Sequence, residues 1–459
     1  MTLSTPPSPE ARHEQLAALD RAHVWHPFTQ MQAWDDEDPL IIERAEGCWL
    51  IDDRGQRYLD GVSSLWVTVH GHRQPEIDAA VRAQLDRVAH STLLGLASVP
   101  SIELAAELAR RAPAGLTRVF YSDSGSTAVE VALKIAFQFW RQSGRPEKKR
   151  FLALGGAYHG DTLGSVAVGG MELFHEIFRP LLFDVLRAPE PYCYRCPLGK
   201  QRESCAVACA TEAERLIAAH AHELAALVIE PLVQGAAGMI TQPAGYLKRL
   251  ADACKRHDVL LICDEVATGF GRTGTLFACA QEQVTPDLLC VAKGLTGGYL
   301  PLAATLSTER VHAAFRGPVE SNRTFFHGHT YTGNPLACAA ALANLALFDS
   351  AHTLEHVQEL LPPLQRGLEA IAQLPHVGEV RHCGLMVGIE LVQDRATRSA
   401  YPPALRLGHQ VIREARRHGV AIRPLGNVVV LMPPLGIQPS ELELLLSVTS
   451  AAIAHVTGS

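Results

Sequence analysis

The sequence predicts an α/β fold in which a mostly parallel sheet is covered by helices on both faces. Short, continuously apolar segments alternate with helical stretches between about residues 119 and 306. Such runs are typical of parallel strands, because those strands are buried on both faces. A later α+β region with two further apolar segments indicates a second, smaller domain.

The individual elements follow from apolar runs and from helical apolar spacing. Helices are predicted at 101–111, 127–142 and 334–348, and a packed helix at 444–456, which is too short to span a membrane. Residues 47–61 are expected to form two short strands around a turn at 52–55. The predicted strands lie at 119–122, 151–154, 224–231, 259–266, 287–294, 387–392 and 428–434.

Composition limits the possible classes of protein. The chain has 459 residues, 47% of them hydrophobic, and a net charge of −7, which favours a globular protein with a large core and two or three domains. Without a basic stripe, nucleic acid is not an expected partner. The sequence begins without the order of a signal peptide, and no apolar run suits a membrane helix. An odd number of cysteines, 11, favours reduced thiols in the cytoplasm.

Three predicted strands end in functional side chains, namely Glu230, Asp264 and Lys293. Because ligands of open α/β sheets bind beyond the carboxyl ends of the strands, these side chains are expected to share one crevice. A structural ion pair is the alternative. The glycines that follow Lys293 favour a ligand, because they allow a bulky group to approach the backbone closely.

Two further motifs suit a phosphate and a flat ring. Residues 123–130, DSGSTAVE, follow a strand and open a helix, so the N–H groups near Gly125 and Ser126 can bind an anion. A plain N-cap is the alternative there. In GGAYHGDT, residues 155–162, Tyr158 can offer a ring face, or it can simply be an exposed side chain in a turn. Together with a lysine and a carboxylate, these features predict a pyridoxal 5′-phosphate (PLP) site.

The stretch DEVATGFGRTG, which starts at Asp264, and the AKGLTGG around Lys293 resemble the signature of the class III aminotransferases. The similarity covers nearly the whole chain, from His23 to Pro434. It implies a PLP-dependent transferase of fold type I with a seven-stranded, mostly parallel sheet in a large domain. We expect residues 71–345 to form that large PLP-binding domain, and residues 1–70 and 346–459 to form the two parts of a small α+β domain.

The resemblance also implies roles for single residues. Lys293 would form the Schiff base and move a proton, Asp264 would pair with the ring nitrogen, and Tyr158 would stack on the ring. Thr330, preceded by His329, would reach the phosphate of a neighbouring subunit, which implies a homodimer with shared active sites. The other expected cofactor contacts are Gly125, Ser126, Glu230, Gln234 and Val266. The expected substrate contacts are Phe28, Leu65, Trp66, Tyr158, Lys293, Gly328 and Arg423, of which Arg423 would bind a carboxylate.

Within the family, the motifs HVWHPFTQ, SSLWVTVHGH and IRPLG resemble the branch that works in biotin biosynthesis. This implies amino transfer to the ketone of 8-amino-7-oxononanoate, with S-adenosylmethionine as the expected donor. Phe28, Leu65 and His329 depart from that branch and resemble a subgroup that uses L-lysine. Another class III enzyme acting on ω-amino acids, or a catalytically inactive PLP-fold binding protein, remains an alternative.

A cluster of cysteines lies outside these motifs. Cys193, Cys196, Cys205 and Cys209 form a CxxC followed by a CxxxC, in an expected loop between a strand and a helix. Such spacing suits zinc or an iron–sulfur cluster, but it also occurs in redox-labile or simply packed thiols. The active site itself is expected to contain no metal, because the histidines show no convincing ligand spacing.

Overall fold

The computed structural model of the protein describes residues 8–458. The first seven residues, where the sequence lacks the pattern of a signal peptide, lie outside the described part. No helix among the described residues is long and apolar enough to cross a membrane.

The first part of the described chain consists of short elements around a small sheet. The predicted turn joins two of its strands, and the Gly55 N–H donates to the Asp52 carbonyl at 3.0 Å. The elements are α1 (Pro9–His23), α2 (Met31–Asp35), β1 (Ile42–Glu46), β2 (Trp49–Asp52), β3 (Arg57–Asp60), α3 (Ser63–Trp66), α4 (Pro75–Leu85) and α5 (Val99–Arg111).

The central part alternates strands with helices, as the sequence predicts. Short 3-10 turns occur at Glu176–Leu181, Ala278–Glu282, Lys293–Thr296 and Val319–Ser321. The elements are β4 (Leu116–Ser122), α6 (Gly125–Gln142), β5 (Arg150–Leu154), α7 (Leu163–Val168), α8 (Glu172–His175), β6 (Val185–Ala188), α9 (Ala208–His220), β7 (Leu224–Ile229), β8 (Val233–Gln234), β9 (Ile240–Thr241), α10 (Tyr246–Arg256), β10 (Leu260–Asp264), β11 (Leu288–Val291), β12 (Ala303–Thr308) and α11 (Glu309–Ala313).

The last part contains two long helices, a second small sheet and a long C-terminal helix. One more 3-10 turn lies at Pro403–Leu405. The elements are α12 (Pro335–Ser350), α13 (Thr353–Ile371), β13 (Val377–Cys383), β14 (Met386–Asp394), β15 (Ser399–Ala400), α14 (Leu407–Arg417), β16 (Val420–Ala421), β17 (Arg423–Leu425), β18 (Val428–Leu431) and α15 (Pro439–Thr457).

The large sheet has seven strands in the order β4-β12-β11-β10-β7-β5-β6. Strand β12 is antiparallel to both of its neighbours, and the other pairs along the sheet are parallel. The six strands other than β12 therefore point the same way, and their carboxyl ends meet at one edge of the sheet. This confirms the predicted α/β class and the mostly parallel seven-stranded sheet.

Alternate residues of the central strands enter two different apolar layers. Leu261 and Cys263 of β10 lie in one layer, while Leu260 and Ile262 lie in the other. Helix α6 covers one face through residues such as Ala132, and helices α9, α10 and α12 contribute to the layer on the opposite face. Because both faces are covered, the strands are continuously apolar, and this is the pattern visible in the sequence.

Three smaller sheets complete the fold of the described residues. One has the order β1-β2-β3-β16, another has the order β13-β14-β18-β17 with β15 on β14, and the third is the antiparallel pair of β8 and β9. The parallel pair of β3 and β16 aligns Leu59 with Val420, so distant parts of the chain share one sheet. The proposed division at residues 70 and 345 stays a prediction.

Candidate active site

A cavity of about 860 Å³ lies beyond the carboxyl ends of the large sheet. Glu230 follows β7, Asp264 ends β10, and Lys293 follows β11, and all three line this cavity. A parallel sheet gathers strand ends at one edge, which explains why residues so far apart in sequence meet there. The structure thus brings together the three strand-end side chains that the sequence singles out.

Lys293 begins a 3-10 turn directly after β11, with a backbone φ of 28° in the left-handed region. Residues in such sparsely populated conformations are concentrated at functional sites. The Lys293 Nζ lies 5.2 Å from the centroid of the Trp66 ring. Burial lowers the pKa of Lys293, although the carboxylates of Asp264 and Glu230 act in the opposite direction. A lowered pKa increases the neutral fraction of the amine, which is the form that acts as nucleophile and base.

Asp264 is held by two donors. Its Oδ2 lies 2.8 Å from Nδ1 of His159, and its Oδ1 accepts a hydrogen bond from the Val266 N–H at 3.0 Å. Because an ionised carboxylate can only accept, Nδ1 is the nitrogen of His159 that carries the proton in this pair. The side chains of His159 and Asp264 are both buried. The carboxylate is therefore fixed in position at the floor of the cavity.

Glu230 is a buried carboxyl group bound by two backbone N–H groups. The Tyr158 N–H donates to it at 3.1 Å and the Gly235 N–H at 2.9 Å. Burial, with a smaller contribution from Asp264, raises the pKa of Glu230 to about 7. Glu230 consequently titrates near neutral pH, whereas an exposed glutamate would be fully ionised there.

The N-terminus of α6 faces the cavity after β4. The Ser124 side chain caps the helix by accepting from the Thr127 N–H at 3.2 Å. No residue in the described range 8–458 accepts a hydrogen bond from the Gly125 or Ser126 N–H. The Ser126 hydroxyl accepts from the Thr162 N–H at 2.9 Å. The cradle for an anion is therefore made chiefly of the two free N–H groups at a helix N-terminus.

Gly125, Val266 and Tyr158 all line the cavity. A Cβ added at Gly125 would lie 2.5 Å from Cγ1 of Val266, so only glycine fits beside that valine. The Tyr158 hydroxyl donates to Asp161 at 2.8 Å, while the Tyr158 N–H is bound by Glu230. Hydrogen bonds therefore fix both the backbone and the ring of Tyr158. A ring held in this way can pack against a flat ligand.

The outer part of the cavity is more apolar. Phe28 and Leu65 line it near Trp66, and Phe28 adopts a left-handed φ of 53°. Arg423, at the start of β17, is an exposed cation on the same wall. No described residue accepts a hydrogen bond or an ion pair from the Arg423 guanidinium. This cavity therefore combines an apolar wall with one unpaired positive charge.

Three predicted site residues do not line the cavity of their own chain. Gly328, His329 and Thr330 lie in the segment between β12 and α12. Among them, His329 approaches the cavity lining, with its Nδ1 3.5 Å from Oδ2 of Asp123. Their expected contacts with cofactor and substrate stay predictions. Gln234 does not line the cavity either, and its side-chain amide donates to the Gly155 carbonyl at 2.9 Å.

The sequence did not single out several side chains of the cavity. Three of them follow Tyr158 in the motif GGAYHGDT, namely His159, Asp161 and Thr162. Because they lie within four residues of Tyr158, the sequence could have indicated that they belong to the site. Phe174 of α8 also lines the cavity, and its ring contacts Phe28 edge-on with centroids 5.3 Å apart. Phe174 lies in a segment without a strong periodic pattern, so the sequence offered no comparable signal.

Of the four clustered cysteines, Cys193, Cys196 and Cys205 lie in the expected loop between β6 and α9, whereas Cys209 lies in the first turn of α9. None of the four lines the active-site cavity. Within the described part of the chain, no group of three or more His, Cys, Asp or Glu side chains is placed to hold a metal ion. All eleven cysteines are free thiols.

These residues fit PLP. The free N–H groups at α6 suit its phosphate, the side chains of Val266 and Tyr158 on the cavity wall suit its flat ring, and Asp264 is a buried acid that suits its ring nitrogen. Lys293 supplies the amine that a PLP enzyme requires. The four requirements meet in one cavity.

Comparison with known proteins agrees with this site. The family described as Aminotransferase class-III matches residues 30–453. The chain is 61% identical over 455 residues to the adenosylmethionine-8-amino-7-oxononanoate aminotransferase of Nitratidesulfovibrio vulgaris, covering 99% of this chain and 84% of that protein. The crystal structure of the Methanocaldococcus jannaschii protein of that name is similar, with a TM-score of 0.92, 44% identity, and coverage of 96% of this chain and 99% of that chain. An (S)-enantioselective omega-transaminase from Thermomicrobium roseum also has a TM-score of 0.92, at 37% identity, with 96% and 98% covered.

The fold and the site define a PLP-dependent transferase of the α/β class. The chain belongs to the class III aminotransferases, and it is a PLP-dependent aminotransferase.

Proposed function

We propose that this aminotransferase works in biotin biosynthesis and transfers an amino group to the ketone of 8-amino-7-oxononanoate, giving 7,8-diaminononanoate. The support from relatives is the name adenosylmethionine-8-amino-7-oxononanoate aminotransferase, which the similar proteins of N. vulgaris and M. jannaschii share. The observation in the site that carries the proposal is the unpaired Arg423 on the wall of a largely apolar cavity.

Arg423 suits the carboxylate of such an acceptor. A guanidinium fork binds a carboxylate with two parallel hydrogen bonds, and no described residue accepts a hydrogen bond from the Arg423 guanidinium. The apolar side chains of Leu65 and Trp66 line the same cavity and suit an aliphatic chain between the carboxylate and the ketone. An acceptor with a carboxylate far from its ketone therefore matches the charge and the apolar lining.

We propose that PLP is held by residues on three sides. The N–H groups of Gly125 and Ser126 would bind the phosphate, Tyr158 and Val266 would flank the ring, and the Lys293 amine would hold the cofactor covalently. Glu230 would lie near the ring substituents. When bound, PLP withdraws electrons from the carbon that carries the migrating amino group, so that the proton on this carbon can be removed.

The residues of the chain control the protons of this reaction. The Lys293 amine, with its lowered pKa, can accept a proton from the reacting carbon and return it nearby. The Asp264 carboxylate, fixed by His159 and by the Val266 N–H, would keep the ring nitrogen protonated. Donor and acceptor must use the same cavity in turn, so ping-pong kinetics are expected.

S-adenosylmethionine is the proposed donor, because the names of the relatives contain it. L-lysine is a second candidate. It is favoured by Phe28 and Leu65, which line the cavity with apolar side chains and offer no hydroxyl group to a donor. Both donors leave the proposed acceptor unchanged.

We further propose a homodimer in which Gly328, His329 and Thr330 serve the active site of the neighbouring subunit. These residues lie outside the cavity of their own chain, and large apolar side chains are exposed elsewhere on the described surface. Examples of such side chains are Trp25, Leu94, Leu173, Ile177, Val319 and Phe326. The eleven free thiols support a reducing compartment such as the cytoplasm.

The test is a direct assay of the purified holoenzyme with 8-amino-7-oxononanoate, supplied separately with S-adenosylmethionine and with L-lysine. Mass spectrometry should detect 7,8-diaminononanoate with at least one donor, and the faster donor identifies the physiological one. Pyruvate and 2-oxoglutarate serve as alternative acceptors. Turnover with these acceptors but none with 8-amino-7-oxononanoate would reassign the chain to the ω-amino acid enzymes of the family.

A further inference from the structure

A group of four cysteines takes no part in the proposed reaction. Cys193, Cys196, Cys205 and Cys209 lie between β6 and the first turn of α9, and the first three are partly exposed. Six of the other seven cysteines are buried at scattered positions in the chain. Burial as small apolar side chains explains those six, but it does not explain three partly exposed thiols gathered in one loop beside a fourth, Cys209, at the start of α9.

The four thiols line the same small cavity, together with Lys200 and Arg202. Cys193 is within electrostatic range of both Cys196 and Cys205. Burial raises the pKa of Cys193, and the guanidinium of Arg202 opposes this rise. Nearby cations favour the thiolate, which is the reactive form of cysteine. The loop thus combines neighbouring thiols, partial exposure and positive charge.

A disulfide between two of these thiols suits the cluster better than a four-ligand metal centre. No described group of three or more ligand side chains is placed to hold a metal ion. We propose that Cys193 and Cys205 form a reversible disulfide, which makes the loop a thiol modification site for a small disulfide oxidant such as oxidised glutathione. The two thiols give up two electrons and two protons as their S–S bond forms. The S–S bond of the oxidant breaks at the same time. Its two sulfur atoms accept these electrons and protons, and the oxidant is released as two thiols.

The segment that contains Cys193 is already anchored to the small sheet at β14. The Arg195 Nε donates to Glu390 at 2.7 Å, the Tyr192 hydroxyl also donates to Glu390, and Arg398 donates to the Tyr194 carbonyl at 2.5 Å. Glu390 is bound in turn by Arg381 at 2.7 Å. A disulfide between two residues that the fold already holds together acts mainly on the unfolded chain. It should therefore raise the thermal midpoint and leave turnover unchanged.

The experiment compares the holoenzyme after incubation with reduced or with oxidised glutathione. Thiols are then counted with a maleimide reagent under denaturing conditions, and the cross-linked peptides are mapped by mass spectrometry. Two of the eleven thiols should become protected, with the link between Cys193 and Cys205, and dithiothreitol should restore both. The oxidised protein should also melt at a higher temperature.

Variants and metal analysis make the test decisive. Cys193→Ser and Cys205→Ser should each lose the rise in melting temperature, whereas Cys383→Ser, which changes a cysteine outside the cluster, should keep it. Eleven reactive thiols after oxidation, a link to another partner, or one zinc ion per chain in protein purified without chelator would each overturn the proposal. If a serine variant does not fold, the peptide map of the wild-type protein still decides the question.

Discussion

Nδ1 of His159 lies 2.8 Å from Oδ2 of Asp264, and both side chains are buried beneath the active-site cavity. This contact joins the loop that carries Tyr158 to the end of strand β10. The hydrogen bond from the histidine, together with the one from the Val266 N–H, fixes the direction of the carboxylate. No described residue binds the other ring nitrogen, Nε2, which is also buried. We therefore regard His159 as a positioning residue that acts through Asp264.

Replacing His159 with alanine should weaken cofactor binding and slow turnover. A hydrogen bond to a charged group contributes about 1.5–3 kcal/mol, which corresponds to roughly a 10- to 100-fold effect. Cofactor titration and steady-state kinetics measure both quantities. His159→Asn, which can still donate to the carboxylate, should recover part of the loss. Equal defects in the alanine and asparagine variants would indicate a packing role instead.

Asp264→Asn should retain some cofactor but lose most of its rate. The amide cannot stabilise a protonated ring nitrogen, and loss of one partner of a buried ion pair costs about 3–5 kcal/mol, or roughly 150- to 5000-fold. Single-turnover kinetics isolate the chemical step. Asp252→Asn, on the exposed face of α10, is the matched control and should behave like the wild-type enzyme. An Asp264→Asn enzyme as fast as wild type would show that this carboxylate is not the partner of the ring.

Arg423→Ala should raise the KM for 8-amino-7-oxononanoate with a much smaller change in kcat. The lost contact is a charge-assisted pair at a distance from the reacting carbon, so we expect an increase of about 10- to 100-fold in KM. Arg417→Ala provides the control, because Arg417 is exposed on α14 and contacts Glu414 there. If KM is unchanged in the Arg423 variant, the carboxylate must bind elsewhere.

The buried carboxyl group of Glu230 should make the stability of the cofactor-free protein depend on pH. Burial raises its pKa from 4.5 to about 7, so the folded protein keeps the proton that the unfolded chain releases. The resulting stability is fully present below pH 4.5 and is lost as the pH rises through about 7. The free energy of unfolding should fall by on the order of 3 kcal/mol relative to the Glu230→Gln protein, because each unit of pKa shift corresponds to about 1.36 kcal/mol. Urea unfolding of both proteins between pH 5 and pH 8 measures this difference, and parallel pH profiles would contradict the assignment.

The fold was predictable where a strand is both buried on its two faces and made of large apolar residues. Strands such as β7 and β10 are continuously apolar, and both were predicted close to their observed limits. Strands β6 and β12 were not identified individually, because β6 is short and contains Arg187, and β12 consists mostly of alanine, serine and threonine. Hydrophobic periodicity carries little signal in such segments.

The site was predictable where function depends on position along a strand or at the start of a helix. Lys293 and Asp264 are examples, since strand ends meet at one edge of a parallel sheet. Phe174, on the short helix α8, lines the cavity beside Phe28, which is far from it in sequence. A contact of this kind depends on tertiary structure and leaves no periodic trace in the sequence.

The covalent attachment of the cofactor to Lys293 is the central claim, and borohydride reduction of the holoenzyme tests it most directly. Peptide mapping after reduction should find the cofactor on the peptide that contains Lys293. Lys293→Ala should show no such adduct and nearly no turnover, while Lys248→Ala, on the exposed face of α10, should retain both. An adduct on a different lysine, or normal turnover in Lys293→Ala, would contradict the claim.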